Sequence, residues 1–205
     1  GADTDIVSKE MYSWTDQGGN NITLKPEVTA SVIRTYIQNS LGKINPINKF
    51  YYIDSLFRRE RPQKGRYRQF HQFGVESIGS QYPEQDAEVI ALAYNFYHYL
   101  GLKNIILKIN SIGSKETRGI YKKKLHDYLL PYKKDLTEIS QKRLDKNPLR
   151  ILDTKVNFEI DIINNAPNIV DCLNDDDKIH FDNVLNFLNK MNIKYSIDNK
   201  LVRGL

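Results

Sequence analysis

Apolar positions along the first hundred residues switch between two periods. Residues 10–24, EMYSWTDQGGNNITL, place short apolar-polar stretches on either side of Gly18-Gly19-Asn20 and predict a two-strand hairpin. In the next segment Val28, Val32, Ile33, Tyr36, Ile37 and Leu41 recur at helical spacing. Pro26 suits the first turn of that helix and Gly42 its C-terminal stop. Aromatic and β-branched residues then predict a strand in KFYYIDSLFRRE, a loop in RPQKGRYR and a returning strand in QFHQFGVESIG. Pro83 and Asp86 open a helix that ends at Gly101, and KNIILKINSIG reads as a buried strand. From Ser114 to about Asn189 the pattern is helical, and KYSIDNKLVRGL is a strand that would return to the sheet. These elements predict an α+β fold with a mixed, largely antiparallel sheet, flanking helices and a mostly helical insertion. The expected division is a core over 1–113, the insertion over 114–190 and a returning strand over 191–205.

Composition narrows the class. A chain of 205 residues with 40% hydrophobic content is long enough to bury a substantial core. A net charge of +5 leans towards a polyanionic partner. Cys172 is the single cysteine, which excludes an internal disulfide and a cysteine-based metal cluster. The four histidines, His71, His98, His126 and His180, have no metal-ligand spacing, so no protein metal site is expected. No apolar run reaches the length of a membrane span, and GADTDIVSKE has no signal-peptide core. The expectation is a cytoplasmic protein with no membrane partner.

The chemistry concentrates in Arg58–Glu76, RRERPQKGRYRQFHQFGVE. Arg58, Arg59, Arg61, Lys64, Arg66 and Arg68 crowd a segment whose acids are Glu60 and, at its end, Glu76. Alternation puts Arg58 and Glu60 on one strand face, and Phe70, Gln72, Gly74 and Glu76 on one face of the returning strand. A glycine within a polar face suits the close approach of a ligand. Arginine is the side chain for bidentate phosphate recognition, and Phe70 offers a ring on which a planar base can stack. An exposed hairpin tip with a solvated charge run is the plainer alternative. No P-loop pattern is present.

FRRERPQKGRYRQFHQFGVE closely resembles motif 2 of class II aminoacyl-tRNA synthetases, in the bacterial histidyl-tRNA synthetase version. TLKPEVTA, INSIGS, NPLRILDTK and LVRGL resemble further segments of that family, so the resemblance spans nearly the whole chain. It implies ATP-dependent activation of L-histidine, transfer to tRNA(His), and Mg²⁺ bridging the ATP phosphates with few protein ligands. Arg58 would contact the α-phosphate and the histidine carboxylate, Glu60 the adenine amino group, Arg66 the terminal phosphates, and Phe70 would stack on adenine. Glu27 and Thr29 would bind the substrate amino group, Gln72 the amino acid and Glu76 the imidazole, while Arg203 would stabilise the transition state. Glu27 also has a plainer reading, as a helix-dipole partner. Lys115, Lys122–Lys124, Lys133 and Lys134 would face tRNA from the insertion. Where the family reads R-P-E-G-T-A, this chain has Lys25 for the arginine and Val28 for the glycine. The family's dimer-forming motif 1, its motif 3 and its anticodon-binding domain would lie outside the chain, so a homodimer is expected of the full-length protein. A non-catalytic regulatory paralogue, of the ATP phosphoribosyltransferase regulatory-subunit type, and a plain nucleic-acid-binding module are the alternatives. Arg58, Glu60, Arg66 and Arg203, all present, favour the ligase.

Overall fold

The computed structural model describes residues 10–202, so Arg203 lies outside the described residues. The chain divides into two compact units, Gly1–Gln81 and Tyr82–Leu205.

In the first unit, β1 (Ser13–Thr15) and β2 (Asn21–Thr23) pair antiparallel around the predicted turn. Asp16 fastens that turn by accepting the Asn20 N–H at 2.8 Å. The predicted single helix is two: α1 (Thr29–Gln38) and a short α2 (Leu41–Ile44). Ser40 adopts φ 49, a left-handed backbone that stops α1, so Pro26 precedes the helix and Gly42 lies inside α2. The main feature is the ribbon of β3 (Asn48–Phe57) and β4 (Gln69–Ile78), paired antiparallel over its whole length. β3 is shorter than predicted, because Arg58–Glu60 already belong to the loop. Leu56 is fully buried on the face shared with Phe70, whereas Tyr51 and Ile53, on the opposite face, are 76% and 71% exposed.

In the second unit, α3 (Pro83–Tyr99) leads to β5 (Leu107–Ile109), much shorter than the predicted strand. α4 (Lys115–Leu129), α5 (Glu138–Lys146), α6 (Asn157–Asn164) and α7 (Asp175–Lys190) follow, joined in places by 3₁₀ turns, before β6 (Tyr195–Ile197). β6 pairs with β5 in parallel. A parallel pair needs a crossover connection, and here the entire helical segment is that crossover. Two apolar clusters form. Ala87 and Ala91 of α3 pack with Ile109, Val184, Leu188 and Ile193. Tyr121, Leu125 and Leu129 of α4 pack with Leu144, Ile151 and Ile163 in the other. The expected α+β class and mixed pairing are present. Among the described residues, however, the strands form three two-stranded pairs rather than one continuous sheet.

Two carboxylates pin the helical segment, one buried and one half-buried. Glu159 is fully buried. Its Oε1 accepts from the Thr137 N–H and hydroxyl, both at 2.8 Å, and its Oε2 from Ser140 Oγ at 3.1 Å and Thr154 Oγ1 at 2.5 Å. Thr137 is the N-cap of α5, so the carboxylate also faces that helix's positive end. Asp177 accepts the Ser114 N–H at 2.9 Å and the Thr117 hydroxyl, tying the first turn of α7 to the start of α4. Gly113, at φ +59, makes room there, since a Cβ would run into Thr117.

Burial pushes the Glu159 carboxyl up, but the bonds from Thr154, Thr137 and Ser140 outweigh it and hold the group below its ordinary value of 4.5. A depressed folded-state pKa contributes stability above the unfolded value, which disappears as pH falls through the folded one. Glu159→Gln is therefore expected to cost about 2 kcal/mol at neutral pH. The gap to wild type should shrink once pH drops below 4.5. Urea unfolding of both proteins at several pH values measures this, and a gap independent of pH would contradict it.

Candidate nucleotide and amino-acid site

The β3–β4 register decides which side chains share a face. Phe50↔Glu76, Tyr52↔Gly74, Asp54↔Gln72 and Leu56↔Phe70 stand opposite one another, so all eight lie on one face of the ribbon. Arg58 prolongs the ladder, since its N–H bonds to the Arg68 carbonyl at 2.9 Å. The expected grouping of Phe70, Gln72, Gly74 and Glu76 is therefore present.

At the loop end, the Arg58 guanidinium carbon lies 5.2 Å from the Phe70 ring centroid, within cation–π range. Arg58 Nε donates to the Pro26 carbonyl at 2.9 Å, which fixes the guanidinium from the segment preceding α1. Arg66 Nη1 donates to Glu60 Oε2 at 2.9 Å. Glu60 and Arg66 thus hold each other across the loop, and Arg68 adds a longer bond to the Glu60 carbonyl at 3.4 Å.

At the opposite end, Thr29 Oγ1 donates to Glu76 Oε1 at 2.6 Å, joining the start of α1 to β4. Glu27 accepts the Ala30 N–H at 3.2 and 3.1 Å through its two oxygens, the helix-terminus arrangement of the plainer reading. Val28 is buried and directs its carbonyl to the N–H groups of Ser31 and Val32. Lys25, where the family has arginine, pairs with Asp54. That hydrogen bond, with a second from the Ser55 N–H, holds the Asp54 carboxyl below its usual range.

Gly74 has a different explanation from the one its sequence context suggested. A Cβ at this position would fall inside the Tyr52 side chain, so a tyrosine, rather than open ligand space, lies across the glycine. The Tyr52 hydroxyl in turn accepts from Gln72 Nε2 at 3.3 Å. Tyr52 and Asp54 escaped the sequence reading, although both stand at even positions of β3, in step with Arg58. Their link to Gln72 and Gly74 becomes visible only with the register. Arg203, expected at the same chemistry, lies outside the described residues. Among the described residues no group of three His, Cys, Asp or Glu side chains could hold a metal ion. No described helix is long and apolar enough to cross a membrane.

The fold is that of part of a class of tRNA synthetases: the chain is similar to apo histidyl-tRNA synthetase from S. aureus with a TM-score of 0.72 at 38% identity, covering 95% of this chain and 45% of that one. The family model described as histidyl-tRNA synthetase matches residues 1–204, and the chain belongs to that family. It is 49% identical to the histidine–tRNA ligase of Streptococcus mutans over 100% of its own length and 48% of the relative's. It is 51% identical to that of Acholeplasma laidlawii over 98% of its length and again 48% of the relative's. The chain therefore spans about half the length of the curated relatives it matches. A Bacillus halodurans structure, titled an ATP phosphoribosyltransferase regulatory subunit/histidyl-tRNA synthetase, shares the fold at a TM-score of 0.60 and 19% identity.

The packing of Tyr52 over Gly74 gives a direct test. Gly74→Ala is expected to destabilise the ribbon by about 1–3 kcal/mol through overpacking. Combined with Tyr52→Ala, most of that penalty should vanish. Denaturant unfolding of the two single variants and the double variant measures the coupling, and additive losses would mean that the two residues do not meet.

Proposed function

We propose that this chain is the part of a histidine–tRNA ligase that binds ATP and L-histidine and forms histidyl-adenylate for transfer to tRNA(His). The observation that carries this reading is the single ribbon face running from Arg58 and Phe70 to Glu76, in a chain of the histidyl-tRNA synthetase family. The relatives named histidine–tRNA ligase, near half identity, favour it over a regulatory paralogue, with which only the fold is shared.

The steps follow from the side chains. Arg58, already held by Pro26, would meet the α-phosphate and the histidine carboxylate, two anions brought together as the carboxylate oxygen attacks phosphorus and pyrophosphate leaves. Phe70 would carry adenine on the ring face away from Arg58. Glu60 would turn to the adenine amino group and Arg66 to the terminal phosphates, exchanging their mutual ion pair for ligand contacts. Arg66, 63% exposed, gives up its side of that pair at little cost, while Glu60, 22% exposed, would trade one hydrogen-bond partner for another. Mg²⁺ would arrive with ATP, ligated mainly by phosphate oxygens and water. Glu27 and Thr29 would receive the α-amino group, Gln72 the amino acid and Glu76 the imidazole N–H, with Thr29 orienting the Glu76 carboxylate. Arg203 would add a second positive charge in the transition state.

The segment 114–190 is proposed as the insertion that meets tRNA. α4 buries Tyr121, Leu125 and Leu129 and exposes Lys122, Lys123 and Lys124, while Lys133 is engaged by Asp145 at 3.0 Å. The same reading gives a cytoplasmic enzyme that is a homodimer at full length.

Two variants of the full-length protein test the two ends of the face. Arg66→Ala is expected to weaken ATP binding by roughly 1.5–3 kcal/mol, the scale of a charge-assisted hydrogen bond, and unchanged affinity by calorimetry would remove Arg66 from the nucleotide site. Glu76→Gln should cost about 1.5–3 kcal/mol in histidine binding while ATP binding stays near normal. Equal losses for both ligands would reduce Glu76 to a support of the fold.

A further inference from the structure

Lys25 and Asp54 have no task in the proposed chemistry, yet both stand among the residues that do. Asp54 lies opposite Gln72 on the ligand face of the ribbon, and Lys25 begins the short segment 25–29 that carries Glu27 and Thr29. Their side chains join in a hydrogen-bonded ion pair. The Asp54 carboxylate is oriented for it: Oδ1 accepts the Ser55 N–H at 2.7 Å, and Oδ2 takes the Lys25 ammonium.

The same segment meets the end of β3 through its backbone. The Lys25 carbonyl accepts the Phe57 N–H at 2.9 Å, and the Pro26 carbonyl accepts from Arg58 Nε at 2.9 Å. Phe57 comes three residues after Asp54, about 10 Å further along an extended strand. A residue hydrogen-bonded at one point can pivot about it. Lys25 is held at two, by its carbonyl at Phe57 and by its ammonium at Asp54, so its orientation is fixed as well as its position. Pro26 passes that orientation on, because its ring holds φ near about −65°. Glu27 follows directly, and two residues later the Thr29 hydroxyl reaches Glu76 at 2.6 Å.

We propose that Lys25 and Asp54 are a positioning pair for amino-acid activation. Their contact sets the angle at which segment 25–29 lies against β3. It thereby places Glu27 and Thr29 for the substrate amino group and the Pro26 carbonyl for Arg58. The inference rests on the proposed function and adds to it the residues that hold its amino-acid end in place. The pair contributes little to folding, because its side chains are 38% and 40% exposed and so accessible an ion pair is worth little. Its effect lies in where the ligand groups stand, and small misplacements of such groups cost heavily in rate. Glu60, Arg66 and Phe70, proposed to hold ATP, belong to the loop and β4 rather than to this segment.

The test uses histidine-dependent ATP–pyrophosphate exchange and thermal melting on the full-length protein that contains this chain. Lys25→Met and Asp54→Ala are each expected to raise KM for histidine and lower kcat by about fivefold, with KM for ATP within about twofold of wild type and little change in melting temperature. Lys25→Arg, which keeps the charge and the donor, should remain close to wild type. The double variant Lys25→Met/Asp54→Ala should be no worse than the poorer single one, since both remove the same contact. Should Asp54→Ala fail to fold, the comparison of Lys25→Met with Lys25→Arg decides. Wild-type kinetics in Lys25→Met overturn the inference, as does a Lys25→Arg variant equally impaired. A double variant that recovers wild-type kinetics overturns it too, because the unpaired Asp54 charge would then be the cause. Losses that multiply in the double variant, or equal rises in KM for both substrates with a falling melting temperature, reduce the pair to a support of the fold. A wild-type protein without histidine-dependent exchange overturns the proposed function, and this inference with it.

Discussion

Ten consecutive residue pairs, from Asn48↔Ile78 to Phe57↔Gln69, hold β3 and β4 in one register, and the direction of every candidate side chain on the ribbon depends on it. A slip of one residue would send Phe70, Gln72 and Glu76 to the opposite face, beside Tyr51 and Ile53. Glu76 would then lose Thr29, and Arg58 would lose Phe70. The register is protected by unequal burial, with Leu56 enclosed on one face and Tyr51 open on the other. It is protected again by shape, because Gly74 is the position over which Tyr52 can lie.

Several side chains proposed to receive ligands hold one another or nearby backbone in this structure. Arg66 holds Glu60, Thr29 holds Glu76, and Glu27 caps α1. These contacts differ in how easily they are exchanged. Arg66 is largely exposed, so water can take over its side of the pair with the half-buried Glu60 at small cost. Arg58 is held by a neutral carbonyl and an aromatic ring, neither of which cancels its charge. It is therefore oriented in advance and still able to meet an anion, the condition under which electrostatic stabilisation is strongest.

The second unit solves a different problem. Joining two parallel strands requires a long connection, and the chain fills it with helices whose apolar faces make their own cluster. Carboxylates secure the ends: Asp177 ties the beginning of α4 to α7, and Glu159 gathers Thr137, Ser140 and Thr154. A buried carboxylate without a cation is tolerated because four donors replace its hydration. Val202 then links this cluster to the segment after β6.

Local pattern was enough for much of this. Strand-forming residues on either side of a loop foretold the ribbon, alternation put Phe70, Gln72, Gly74 and Glu76 on one face of its returning strand, Pro83, Asp86 and Gly101 foretold α3, and the residues of Arg58–Glu76 carried the family. Where local pattern misled, a backbone or tertiary event was responsible. The left-handed Ser40 cut one predicted helix into two, and Tyr52 rather than open space accounted for Gly74. The sequence by itself determined which residue types stand on which strand face and what chemistry they can perform, because a two-residue period and a side chain's functional group are local properties. Only the tertiary structure decided that Lys25 meets Asp54, Thr29 meets Glu76, Pro26 restrains Arg58, and Val202 lies in a core built from 121–169. Each of those contacts joins residues far apart in the chain, and their distance in space is set by register and packing, which no short window of sequence contains.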